Sequence, residues 1–302
     1  MENILAPRFI DPVAARKHLE ALRWPNGAEC PHCGLINATA TTGGREGLYQ
    51  CNACREQFTV TVGTVFERSK VPLNKWLLCN HLLVSSKKGI SAHQIHRMLG
   101  VTYKTAWFMC HRLREAMKQN TGPLGGPGRT VEADETYVGG KAVNRAFRKP
   151  ANKKAVVALV ERIDTGTGNV RSFHVANVNA KTLRPLIVTN VKRDTRLMTD
   201  RASVYVEVGR EYDGHGKLDH SAREYVRDAS HTNTVENFFS IFKRGVIGTY
   251  HHMSEVHLHR YTAEFDFRYN TRLITDAERA DKALLGIAGK RLTYRRTNAL
   301  AA

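Results

Sequence analysis

No stretch of the chain approaches 18 consecutive apolar residues, so no transmembrane helix is expected. The start, Met1-Glu2-Asn3-Ile4, has neither a basic segment nor an apolar core, so no secretory signal is expected. Cysteines are few, six in 302 residues, and a chain this long buries enough surface to fold without a disulfide framework. There is no internal repeat and no low-complexity block. The hydrophobic fraction of 42% and charged fraction of 25% are those of a globular protein and argue against disorder throughout. The scarcest commodity is negative charge. Asp and Glu number 28 against 46 Lys and Arg, a net charge of +18. That excess points to a polyanionic partner, nucleic acid first, rather than a membrane.

Four of the six cysteines fall in two pairs, Cys30-Pro31-His32-Cys33 and Cys51-Asn52-Ala53-Cys54, spaced C-x2-C-x17-C-x2-C. Each C-x-x-C turn directs two thiolates at one ion, and two turns complete a closed tetrahedron. Residues 1–70 therefore read as a ribbon around structural Zn2+, with Tyr49 and Phe58 covering a very small core. A redox C-x-x-C would need a thioredoxin-like context that is missing. Cys79 and Cys110 sit on helical apolar faces and read as buried free thiols. All six fit a reducing, cytoplasmic compartment.

Residues 71–122 read as three helices. Pro72 suits a first helical turn, followed by a stripe of Leu73, Trp76, Leu77 and Leu83. Ser91 and Gln94 form a capping box, Gly100 ends the second helix, and Thr102 caps a third with apolar positions Ala106, Met109, Cys110, Leu113 and Met117. A short helix, a Gly turn and a longer basic helix make a helix-turn-helix. Lys104, Thr105, His111, Arg112 and Arg114 are its expected exposed residues, placed to meet DNA in a major groove. The plainer alternative is a three-helix packing unit with a solvated basic face.

A Gly/Pro linker at 121–128 marks a boundary. Residues 129–275 then alternate strand and helix signals: strands at 131–138, 155–163 and 170–178, a helix at 182–191, a buried strand at 196–200, a further strand near 223–226, and a helix at 233–243. Val235, Phe238, Phe239 and Phe242 line one face of that last helix. This order fits an α/β, RNase H-like sheet, in which Asp134 and Asp200 would converge. Glu236 follows Asp200 after a gap of 35 residues, and Lys243 lies two helical turns beyond it, beside Arg244. Converging carboxylates repel unless cations separate them, and Mg2+ or Mn2+ answers that need while leaving room for phosphate. Alternatives stay open: Asp134 as a strand-end residue, Asp200 as a helix cap, and Asn233 with Glu236 as a capping box. Glu132 shares a strand face with Asp134, whereas Glu135 faces away. Residues 276–302 read as a basic tail.

Taken together, the chain resembles bacterial insertion-sequence transposases of the DDE type, in the branch with an N-terminal zinc ribbon. The resemblance runs from about Cys30 to Asn270. It is carried by the C-x-x-C pairs, by Val131-Glu132-Ala133-Asp134-Glu135-Thr136-Tyr137-Val138-Gly139-Gly140-Lys141, by Met198-Thr199-Asp200, by His231-Thr232-Asn233-Thr234-Val235-Glu236 and by Arg268-Tyr269-Asn270. It implies an RNase H-like catalytic domain with Asp134 and Asp200 as first and second metal ligands and Glu236 as the third, Asn233 being the other candidate. It further implies binding of terminal inverted repeats, water attack to free a 3′-hydroxyl, attack of that hydroxyl on target DNA, and a homo-oligomer on DNA. A rival expectation is a DNA-binding regulator, or a transposase remnant with a dead site.

Overall fold

The computed structural model describes residues 4–41, 43–118, 122–139, 153–163, 166–200, 203–218 and 233–293. The chain divides into two compact units, one formed by residues up to 118 together with those from 274 onward, the other by residues 119–273. Among the described residues no helix is long and apolar enough to cross a membrane.

The first unit opens with two helices that composition had not suggested, α1 (Pro7–Ile10) and α2 (Pro12–Arg23). Asp11 starts α2 by accepting from the Val13 and Ala14 N–H groups, with Pro12 at the first helical position. A three-stranded antiparallel ribbon follows, β1 (Ala38–Ala40), β2 (Tyr49–Cys51) and β3 (Gln57–Phe58). Its small core is aromatic. Tyr49 and Phe58 stack at 5.9 Å, and Trp24, just past α2, meets both edge-on at 5.3 and 5.8 Å. Arg16 of α2 pairs with Glu20 and reaches Glu46 in the β1–β2 loop. Gly47 sits at φ +78 against the Arg16 side chain, where a Cβ would collide with Cδ at 2.4 Å, so only glycine fits.

Three helices follow, α3 (Leu73–Ser85), α4 (Ala92–Leu99) and α5 (Tyr103–Ala116). Their starts and stops are where the sequence put them. Ser91 accepts from Gln94 N–H, Thr102 accepts from Thr105 N–H, and Gly100 closes α4 in the left-handed region at φ 59. The expected basic tail is partly something else: α10 (Asp276–Leu285) is an ordered helix of this unit. Thr275 and Glu278 form its capping box, Asn80 of α3 donates to Ala280 O at 2.9 Å, and Arg279 donates to Val84 O. The ribbon and the helices, expected as separate domains divided at residue 70, share this one unit.

The second unit is a five-stranded mixed sheet in the order β6-β5-β4-β7-β8. It comprises β4 (Thr130–Val138), β5 (Lys154–Ile163), β6 (Gly166–Val175), β7 (Arg196–Asp200) and β8 (Gly214–Leu218). The first three form an antiparallel meander, and β7 and β8 run parallel to β4. The helices are α6 (Ala180–Asn190), the short α7 (Val206–Gly209), α8 (Asn233–Gly245) and α9 (Glu255–Asn270), with a π-helical turn at Val246–Tyr250. The continuous apolar run of β5 is buried on both sides, as an inner strand requires. Ala155, Val157 and Leu159 join one core with Leu183 and Ile187 of α6; Val156, Ala158 and Val160 join another with Phe238, Phe239 and Phe242 of α8 and Phe265 of α9. This is the RNase H-like arrangement, a mixed sheet between two helical layers. The linker expected to mark a boundary already contributes Leu124 to the first of these cores. The strand expected near 223–226 lies outside the described residues; the partner of β7 is β8.

Candidate active site

Strand alternation sends Val131 and Ala133 into the α6-side core. Glu132 and Asp134 take the other face of β4, toward α8. The parallel register pairs Glu132 with Met198. Carried two residues further, it sets Asp134 beside Asp200 at the end of β7. Burial raises the Asp134 carboxyl to about 7, opposed by the Glu135 N–H that it accepts at 2.8 Å and reinforced by the charges of Glu135, Asp200 and Glu236. The other two acids of the sequence pattern, Asp200 and Glu236, thus bear on the Asp134 carboxyl.

Glu135 takes the opposite face, as expected, where it accepts from the buried Tyr205 hydroxyl at 2.6 Å. Burial raises its pKa as well, and the charge of Asp200 adds to the effect. An all-carboxylate donor set with a disfavoured negative charge fits a hard divalent cation such as Mg2+ or Mn2+.

Helix α8 presents its residues as the apolar stripe demands: Phe238, Phe239 and Phe242 are buried, while Asn233, Glu236, Lys243 and Arg244 are exposed. Its first turn is held from a distance. The Thr234 and Val235 N–H groups donate to Glu132 Oε2 at 3.0 and 2.8 Å. Two of the orphan first-turn donors of α8 are therefore satisfied by a residue on another element. Two acids of α9, Glu264 and Asp266, have structural partners. Glu264 is buried against Arg268 and the Tyr250 hydroxyl. Asp266 accepts from Ser172 N–H and Oγ, and Asn270 exchanges two bonds with the Val170 backbone, so α9 is pinned to β6.

In the ribbon, Cys30, Cys33, Cys51 and Cys54 bring their sulfurs within 4.8 Å of one another. Backbone N–H groups of Cys54 and Ala53, with neighbouring thiols, lower Cys51 to about 6, which favours a thiolate. Four sulfurs at this spacing suit structural zinc, with no position left open for chemistry.

Residues 123–270 match the ISXO2-like transposase domain family, and residues 11–57 match the transposase zinc-ribbon domain family. The chain resembles the insertion-sequence DDE transposases that carry an N-terminal zinc ribbon. An uncharacterized protein in transposable element ISH50 of Halobacterium salinarum is 26% identical over 260 residues, covering 78% of this chain and 83% of the relative. Two solved structures lie further off. The Mos1 mariner paired end complex with Mn is 12% identical with a TM-score of 0.22, covering 62% of this chain and 74% of that one. The Mos1 transposase paired-end complex with left transposon end is 12% identical with a TM-score of 0.21, covering 61% and 72%.

The DNA-facing residues expected on α5 need correction. Lys104 is exposed and Thr105 half-buried, both in the first turn, but His111, Arg112 and Arg114 are only 0%, 8% and 2% exposed. His111 packs edge-on against Trp107 at 4.2 Å. Arg112 donates to Leu292 O and Glu67 O and lies over the Phe108 ring. Periodicity marked one apolar stripe on α5; the flanking segments around Glu67 and Leu292 cover its polar side too. The accessible basic surface here is a cavity of about 490 Å³ whose lining includes Arg68, Lys70, Lys104, Thr105 and Arg112.

Proposed function

We propose that this insertion-sequence transposase cuts the end of its element and joins the freed 3′-hydroxyl to target DNA. Asp134 and Asp200 hold the catalytic cation together with Glu236, with Asn233 as the other candidate for the third position. Magnesium or manganese, when bound as a pair, supplies activation of the attacking oxygen and stabilisation of the leaving oxygen. Lys243 and Arg244, exposed on α8 beyond Glu236, hold DNA phosphate near the acids. The helix-turn-helix reads the terminal inverted repeats through the first turn of α5, where Lys104 and Thr105 sit, and the ribbon extends that contact. The net charge of +18 supplies salt-sensitive affinity for the backbone. Two ends must be joined, so the working form on DNA is a homo-oligomer. The observation that supports this reading is the parallel pairing of β4 with β7, which runs from Glu132 and Met198 toward Asp134 and Asp200, together with the charges of Asp200 and Glu236 felt at the buried Asp134 carboxyl.

Strand cleavage of a labelled duplex bearing the element's end tests it, comparing wild type with Asp200→Asn, in Mg2+ and in chelator. Cleavage by wild type with metal alone is the expected result. Specific binding without cleavage under either metal would overturn the reading in favour of a DNA-binding regulator or inactive remnant. Joining of pre-cut ends separates a transposase from a nuclease that only cuts.

A further inference from the structure

Glu132 is fully buried in the middle of the sheet, between Val160 of β5 and Met198 of β7. A buried carboxylate is costly unless every lone pair has a partner. One oxygen accepts Arg162 Nε at 2.5 Å, and the other accepts the Thr234 and Val235 N–H groups. The first-turn N–H groups of a helix have no partner inside it, and the helix start carries partial positive charge. Glu132 answers both. Its partners place it at a junction: Asp134 lies two residues along the same strand face, and Glu236 is the residue after Val235. A single anion thus links the strand bearing one proposed metal ligand to the helix turn bearing another, a hundred residues later in sequence.

We infer that Glu132 is a positioning residue that, with Arg162, fixes the first turn of α8 so that Glu236 stands against Asp134 and Asp200. It touches neither metal nor DNA. Its effect is to make the third carboxylate part of a preformed site rather than one gathered at the expense of binding energy. The inference rests on the cation-binding reading of the three acids, but not on strand joining.

Two measurements on the full zinc-loaded chain test it. Hydrogen exchange should show the Thr234 and Val235 amides protected, where an unanchored helix start would exchange fast. Binding of Mn2+ alone, followed by electron paramagnetic resonance with Asp134→Asn as control, should weaken about tenfold or more in Glu132→Gln, with duplex binding unchanged. If that variant does not fold, Arg162→Met removes only the guanidinium that steadies Glu132 and should weaken Mn2+ binding, by less than Glu132→Gln would, with faster exchange at the two amides as the anchor loosens. Rapid exchange at both amides in wild type would overturn the anchor. Protected amides with wild-type Mn2+ affinity in the folded variant would overturn the positioning role. A wild type that binds Mn2+ but cuts no DNA, with the variant losing Mn2+ affinity as described, would sink the transposase mechanism and leave this inference standing.

Discussion

The four cysteines come from two tight turns within residues 30–54, and their sulfurs already lie within 4.8 Å of one another. Asp134, Asp200 and Glu236 come from two strands and a helix, spread over about a hundred residues of sequence. The surroundings differ in the same sense. The ribbon has three short strands and three aromatic rings. The sheet has an apolar core on each face. A fold this small depends on its ion, whereas a sheet packed on both sides positions its acids whether or not an ion is present. One centre is the reason its region folds; the other is a product of a region that folds for separate reasons.

The sharpest way to break that contrast is to remove zinc. Chelation, or Cys30→Ser, should unfold the ribbon outright, since structural zinc contributes on the order of 10 kcal/mol in such small domains. All three tryptophans, Trp24, Trp76 and Trp107, lie in the first unit, so fluorescence should respond while amide protection along β5 stays at its native level. Loss of β5 protection on chelation would show that the two regions are not independent.

Next in size is the core of the sheet. Phe242 is buried between α8 and Phe265 at a ring distance of 5.0 Å. Phe242→Ala should cost about 3–5 kcal/mol, read as an earlier urea midpoint for the second unit with ribbon fluorescence unchanged.

A smaller effect depends on pH. Burial raises Asp266 to about 8, against the lowering by its Ser172 hydrogen bonds. The unfolded chain releases that proton near pH 4. Between about 4 and 8 the folded state therefore holds the extra proton, and stability falls as pH rises, by at most ~1.4 kcal/mol per pH unit. Asp266→Asn should flatten that slope for the second unit alone, measured by urea melts from pH 5 to 8. An unchanged slope would show that the carboxyl is ionised throughout.

The smallest is a helix cap. Thr102→Ala removes the bond to the Thr105 N–H and should cost about 1 kcal/mol in the first unit. The same change would turn the first turn of α5 into a weaker DNA reader, visible as lost affinity for element ends at constant salt.

Legibility in the sequence followed the distance between partners. The cysteine spacing, the caps Ser91 and Thr102, the glycine stop at 100 and the stripe on α8 are local, and each appears where the pattern put it. Asp11-Pro12 and Thr275-Asp276-Ala277-Glu278 were also local helix starts, but the first fell in a stretch read as ribbon from its cysteines and the second in one read as a basic tail. The burial of His111 and Arg112 was not legible, because what covers them comes from residues as distant as Leu292. Nor was the role of Glu132. Strand periodicity put it on the right face but had no means of finding the two amides of α8 that it serves.

The pinning of α9 to β6 has a consequence for assembly. At Val170 and Ser172 the outward backbone groups of β6 are already bonded to Asn270 and Asp266, two side chains one helical turn apart. A strand from a second molecule finds no template there, neither for orderly sheet extension nor for the edge-to-edge stacking that seeds aggregates. Were copies to gather on DNA as proposed, they would have to meet through some other surface, and the sheet would stay the property of a single chain on that side.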